Sequence, residues 1–104
     1  MLETPEEAVA GAHAIYTDVW VSMGKEAGGE HHRAQLEGYR VTPALMALAR
    51  HDAVFLHCLP AHRGEEVDSA VIDGSASLVW TQAANRLPAE QALLSALITG
   101  DWEV

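Results

Sequence analysis

A continuous apolar run at residues 53–57 limits the folds open to this chain more than any other segment. The run reads Ala-Val-Phe-Leu-His, and it lies between Asp52 and Pro60. A short run without alternation is typical of a central parallel strand that is buried on both faces. Residues 14–17 and 77–80 give two further strand candidates, of which the first is also expected to be buried. Parallel strands need long crossover connections, so helices are expected between them.

Helix signals occupy those intervals. Thr4-Pro5 and Thr42-Pro43 each place an N-cap residue before a proline, and they predict helices that end near Gly11 and His51. Further helices are predicted at residues 30–37, 67–72 and 88–98, with a glycine-rich loop at 22–29. The alternation predicts an α/β fold, a partial doubly wound parallel sheet of the Rossmann-like type flanked by helices.

Charge and composition exclude several classes of partner. The 104 residues are 49% hydrophobic, which suffices for one packed core, and they carry a net charge of -9. Such a charge repels phosphate backbones and anionic lipids, so no nucleic acid and no membrane partner is expected. The lack of a long apolar run and of a basic leader, with Cys58 as the single cysteine, predicts a soluble, cytoplasmic protein.

A small-molecule pocket is expected where the strands end, because ligands of parallel α/β sheets bind outside the carboxyl ends of the strands. Asp18, Cys58 and the segment after Trp80 all follow strand candidates. A carboxylate suits an ammonium group, whereas the Ser22 hydroxyl and loop N–H groups suit a carboxylate. An amino acid is therefore a natural occupant, although Asp18 could also serve as an ordinary turn residue.

Two segments follow the first and second strand candidates. Residues 18–24 read Asp-Val-Trp-Val-Ser-Met-Gly, and residues 57–60 read His-Cys-Leu-Pro. Together they resemble the ornithine-binding domain of ornithine carbamoyltransferases, and residues 61–67 and 85–87 continue the similarity. The resemblance implies transfer of a carbamoyl group from carbamoyl phosphate to the δ-amine of L-ornithine, giving citrulline and phosphate, in arginine biosynthesis. It also implies a homo-oligomer, which is a trimer in the complete enzyme, and no cofactor.

The same resemblance assigns site residues. At the amino-acid end, Asp18 would hold the α-amino group, while Ser22 and the Met23 backbone would hold the α-carboxylate. At the reacting end, the catalytic candidates are Cys58, beside the δ-amine, and Arg86, which would reach carbamoyl phosphate. The Leu59 carbonyl would contact the carbamoyl nitrogen.

Departures from the family pattern support an alternative. Ala84 stands where the family carries an acidic residue, and Thr81-Gln82 replaces a more usual pair, a change expected to affect the hinge rather than the pocket. The Ser-Thr-Arg-Thr-Arg and His-Pro-Thr-Gln motifs that bind carbamoyl phosphate in the family do not occur. We therefore expect a chain that is inactive alone. The alternative is a noncatalytic amino-acid-binding or oligomerisation remnant of a transcarbamoylase.

The expected organisation follows from the resemblance. Residues 1–83 would form a partial ornithine-binding α/β domain with an unpaired sheet edge, because the opening strands of the family domain do not occur. Residues 84–104 would form a helix that in the family packs back on the carbamoyl-phosphate domain.

Two other readings of the Cys58 region are less favoured. His57, Cys58 and His62 suggest zinc, but they do not complete a ligand set, so no metal is predicted. Cys58 as a covalent nucleophile would need a base, and the adjacent His57 should point to the opposite side of an extended segment. Pocket lining is the favoured role.

Overall fold

Two parallel strands lie at the centre of the computed structural model, which describes residues 4–22 and 29–102. Strand β1 spans Ala14–Thr17 and strand β2 spans Val54–His57, with Ala14 opposite Val54 and Thr17 opposite His57. Their parallel pairing and the flanking helices confirm the predicted α/β class. Because the two strands end in register, the residues that follow them leave the sheet side by side.

Six helical segments surround this sheet in the described part of the chain. They are α1 (Pro5–Val9), α2 (Gly29–Leu36), the 3-10 segment Glu37–Tyr39, α3 (Pro43–Met46), α4 (Ser69–Ile72) and α5 (Val79–Thr99). The two predicted N-caps form, since Thr4 Oγ1 accepts the Glu7 N–H at 3.3 Å and Thr42 Oγ1 accepts the Leu45 N–H at 3.1 Å.

Helix α3 is shorter than predicted, because it ends at Met46 rather than near His51. The N–H groups of Leu48 and Ala49 donate to carbonyls three residues back, which tightens the last turn. The N–H of Arg50 then donates to the Ala12 carbonyl at 3.2 Å, so the chain is drawn towards β1 before β2 begins.

The predicted third strand at residues 77–80 is wrong. Ser77 makes only an isolated parallel bridge to Phe55, and Leu78 already caps the 21-residue helix α5. The last helix therefore begins nine residues before the predicted start, and Pro88 lies inside it. A proline inside a helix removes one hydrogen bond between residues four apart and is unfavourable by about 3 kcal/mol. Gly100, with φ 72°, ends the helix as predicted.

Burial is concentrated around β2. Phe55 is fully buried, and the core around it contains Val9, Ile15, Val41, Leu45, Val67, Val71, Ile72 and Val79. Strand β1 was expected to be buried, but only Ile15 is, because Tyr16 points to the open face and is 56% exposed. Helix α5 leaves a broad apolar surface open, made of Trp80, Leu87, Leu93, Leu94, Leu97 and Ile98. Among the described residues, no helix has both the length and the apolar character needed to cross a membrane.

Candidate functional site

Asp18 and Cys58 meet at the carboxyl ends of the two strands. Thr17 pairs with His57 in the sheet, so the next residue of each strand emerges at the same edge. There the Cys58 thiol donates to Asp18 Oδ1 at 3.0 Å, and the Val19 N–H donates to the same oxygen at 2.6 Å. Asp18 is exposed and Cys58 is half-buried, so a ligand arriving from solvent can reach both.

This contact separates the protonation behaviour of its two partners. The hydrogen bond from the Cys58 thiol, followed by that from the Val19 N–H, lowers the pKa of Asp18. Burial, followed by the hydrogen bond to Asp18 and the charge of its carboxylate, raises the pKa of Cys58. At neutral pH the pair is therefore a carboxylate beside an uncharged thiol, which favours a cationic ligand group and gives Cys58 low nucleophilicity.

Alkylation of Cys58 tests this electrostatic coupling. We expect the rate with iodoacetamide to rise with pH through a midpoint above the usual range of a cysteine, because the thiolate is the reacting form. The Asp18→Asn variant should show a lower midpoint and faster alkylation at pH 8. The denatured chain is the control, and the single cysteine makes the signal unambiguous. Equal midpoints in the native, variant and denatured chains would contradict the coupling.

The turn after β2 is held by a buried histidine. The Leu59 N–H donates to His57 Nδ1 at 2.8 Å, and His57 Nε2 lies 3.1 Å from Glu66 Oε1. Leu59 has φ 58°, in the left-handed region that non-glycine residues rarely adopt, and a cis peptide bond follows it. The His57 side chain thus points away from Cys58 into the core, as expected from the alternation of an extended segment.

A pocket of about 440 Å³ adjoins this turn. Its lining consists of Tyr16, His57, Cys58, Leu59, Gln82, Ala83 and Arg86. The structure thereby brings together Cys58, Leu59 and Arg86 of the candidates chosen from sequence, with Asp18 in contact with Cys58. The Arg86 side chain is 69% exposed, and its guanidinium makes an ion pair with Glu90 at 3.5 Å.

The sequence predicts that the Thr81-Gln82 replacement affects the hinge rather than the pocket. That prediction is corrected for Gln82, which lies in the pocket lining. Its Oε1 accepts the His57 N–H at 3.0 Å, so α5 is tied directly to the end of β2. Glu66 is a second residue that sequence reasoning missed, because a glutamate in a polar stretch gives no sign that it will be fully buried. Only the fold shows that it lies under the turn.

The loop that follows Asp18 is described in part. Ser22 is exposed, while Met23 and Gly24 lie outside the described residues, so the structure gives no position for the Met23 backbone. The loop ends approach each other, since a Cβ built on Gly29 would lie 3.2 Å from the Val21 side chain. A larger residue at the start of α2 would require the Val21 or Arg33 side chain to shift by a few tenths of an ångström.

The trio considered for zinc is not gathered at one point, because His57 faces Glu66 whereas Cys58 contacts Asp18. Within residues 4–22 and 29–102, His62, Glu65 and Glu66 instead bring ligand-type atoms within 4.8 Å of one another. Glu65 already pairs with Arg33 at 3.1 Å, and Glu66 Oε1 already accepts the His62 N–H at 2.6 Å. These contacts give the two glutamates structural partners within the chain.

Comparison with known proteins gives one consistent result. A family model described as the Asp/Orn binding domain of aspartate/ornithine carbamoyltransferase matches residues 1–97. Ornithine carbamoyltransferase of Hyperthermus butylicus is 54% identical over 98 residues, 94% of this chain and 31% of that protein. The enzyme of Ralstonia nicotianae is 52% identical over 102 residues, 98% of this chain and 33% of that protein. The chain thus spans about a third of the length of these relatives.

Solved structures agree in fold. Ornithine carbamoyltransferase from Pyrococcus furiosus superposes with a TM-score of 0.85 at 50% identity, covering 98% of this chain and 32% of that one. Anabolic ornithine carbamoyltransferase from Campylobacter jejuni gives a TM-score of 0.87 at 37% identity, covering 93% of this chain and 32% of that one. The short sheet and its helices therefore have the architecture seen in these enzymes.

Proposed function

The chain belongs to the aspartate/ornithine carbamoyltransferase family, in its Asp/Orn binding domain, and from this membership we propose that it carries the ornithine half of a carbamoyl-transfer site. The complete reaction would move the carbamoyl group of carbamoyl phosphate to the ornithine δ-amine, releasing citrulline and phosphate. The observation that carries the proposal is the contact between Asp18 and Cys58 beside the pocket that Arg86 also lines. The Asp18 carboxylate suits the α-ammonium of ornithine, the Cys58 thiol suits its δ-amine, and the Arg86 guanidinium suits the phosphate of carbamoyl phosphate.

Charge decides which end of ornithine Asp18 holds. The δ-amine must be uncharged to attack, although an alkyl ammonium has a reference pKa of about 10.4. A carboxylate next to it would stabilise the ammonium form and oppose the reaction. Asp18 therefore suits the α-ammonium, which stays charged throughout. The δ-amine would approach the uncharged thiol of Cys58 from the side away from the Asp18 carboxylate, which lies 3.0 Å from the thiol.

The other proposed contacts follow the same chemistry. Ser22, with the Met23 backbone, would bind the α-carboxylate through hydroxyl and N–H donors. The Leu59 carbonyl would accept from the carbamoyl nitrogen. Arg86 would bind the phosphate of carbamoyl phosphate and favour its departure, since a guanidinium is well matched to phosphate oxygens.

Wider aspects of the assignment are also proposals. We assign the protein to the cytoplasm and to arginine biosynthesis, with a trimer as the state of the complete enzyme. Residues 84–104 would dock on a carbamoyl-phosphate domain, and the exposed apolar surface of α5 supports this. The proposed boundary at residues 83 and 84 lies within α5. The same surface also fits the second candidate, a noncatalytic oligomerisation or amino-acid-binding module.

Calorimetric titration of the chain with ornithine tests the binding half of the proposal. We expect saturable binding, and binding of putrescine that is weaker by about tenfold or more, because putrescine lacks the carboxylate and one charged hydrogen bond contributes about 1.5–3 kcal/mol. Equal affinity for both ligands would remove the role of Ser22. If the folded chain gives no heat with ornithine, the ornithine site is rejected. If ornithine does bind, citrulline formation with an added carbamoyl-phosphate domain would distinguish part of an enzyme from a noncatalytic binding module.

A further inference from the structure

His57 and Glu66 are the buried polar side chains among the described residues. Their relative exposures are 1% and 0%, so both side chains are shielded from solvent. Burial of a polar group is unfavourable unless its hydrogen bonds are satisfied. A buried pair directly under the pocket therefore needs an explanation beyond packing.

The hydrogen bonds around His57 have only one consistent direction in the neutral ring. The Leu59 N–H can only donate, so Nδ1 must accept it, and the ring proton is then carried by Nε2. The Nε2–H group donates a hydrogen bond to Glu66 Oε1, which also accepts one from the His62 N–H. The glutamate thus selects the tautomer that leaves Nδ1 free to hold Leu59.

These contacts end at Leu59 and Cys58, which form the rim of the pocket. Leu59 is kept at φ 58°, a conformation that needs external support in a non-glycine residue. Its backbone connects directly to Cys58, whose thiol contacts Asp18. The strand side is fixed as well, because the His57 N–H donates to Gln82 Oε1. A change in the tautomer of His57 would therefore shift Leu59 and Cys58 at the edge of the pocket, while the hydrogen bond to Gln82 keeps the end of β2 in place.

We propose that Glu66 is a positioning residue, which acts through the Nε2–H tautomer of His57 to hold Leu59 and Cys58 at the substrate pocket. The inference rests on the proposed ornithine site for its functional meaning, whereas the tautomer and the fixed turn are properties of the chain itself. The second carboxylate oxygen of Glu66, Oε2, is buried without a hydrogen-bond partner, and His62 Nδ1 lies 3.9 Å from it. Glutamine can therefore replace Glu66 with its carbonyl in place of Oε1.

Nitrogen NMR of the imidazole rings in the full 104-residue chain tests the proposal first. Two-bond correlations between ring nitrogens and carbon-bound protons report the tautomer, and His57 is expected to carry its proton on Nε2. In Glu66→Leu we expect a tautomer mixture, exchange of the Leu59 amide faster by about tenfold or more, and ornithine binding weaker by about tenfold. Glu66→Gln should keep the tautomer and stay within about threefold of the parent affinity.

Glu65→Gln is the matched control, because it changes the adjacent glutamate and breaks only the pair with Arg33. It should leave the His57 tautomer and the Leu59 exchange rate unchanged. An Nδ1–H or charged His57 in the parent chain overturns the inference, even if the leucine variant does not fold. A folded leucine variant with unchanged Leu59 exchange overturns it too. Failure of the parent chain to bind ornithine, with the expected tautomer present, counts against the ornithine site alone.

Discussion

Replacing Asp18 with alanine is expected to weaken ornithine binding by about ten- to a hundredfold. The carboxylate is ionised at neutral pH, since its pKa is lowered by the Cys58 thiol and the Val19 N–H. Its loss removes one charge-assisted hydrogen bond, which contributes about 1.5–3 kcal/mol. Isothermal titration of the parent and variant chains measures the difference directly.

Asp52→Ala provides the control for this experiment. Asp52 is also exposed and its pKa is also lowered, in this case by a hydrogen bond from Arg50, but it precedes β2 and so lies away from Cys58 along the strand. The control makes the same change in net charge. We expect its ornithine affinity to stay at the parent value. A comparable loss in both variants would show that overall charge, rather than a contact at Asp18, governs binding.

Replacing Phe55 with alanine should destabilise the chain by about 3–5 kcal/mol. Its side chain is fully buried at the middle of β2, among the apolar residues of the core, with its ring centroid 6.4 Å from that of His57. Domains of this size are stable by only about 5–15 kcal/mol. Thermal unfolding should therefore shift down by about 12 °C or more, or lose its cooperative transition.

Tyr39→Ala is a suitable comparison, because this aromatic side chain is 50% exposed in the short 3-10 segment. Its removal should change the free energy of unfolding by about 0.5 kcal/mol or less. Circular dichroism melts of both variants give the comparison. Equal destabilisation would mean that the core does not centre on β2.

Much of the secondary structure was predictable because its signals are local. The apolar run at residues 53–57 predicted β2, and the residue before each early proline predicted the caps of α1 and α3. The strand prediction at residues 77–80 was wrong because it also depended on local signals. Val79 and Trp80 are residue types common in strands. The segment makes only one bridge, to Phe55, and the chain then continues as α5.

The sequence also brought Asp18 and Cys58 to one edge, since parallel strands of known order end on the same side of a sheet. It could not identify Gln82 and Glu66 as partners of His57, because they lie 25 and 9 residues away and bond to opposite parts of it, the backbone N–H and the ring. Periodicity and capping depend on neighbouring residues, so the sequence alone determined strands β1 and β2, the two helix caps and the family. Which polar side chains become buried depends on what the fold packs over them. Only the tertiary structure decided that, and with it the support under the pocket rim.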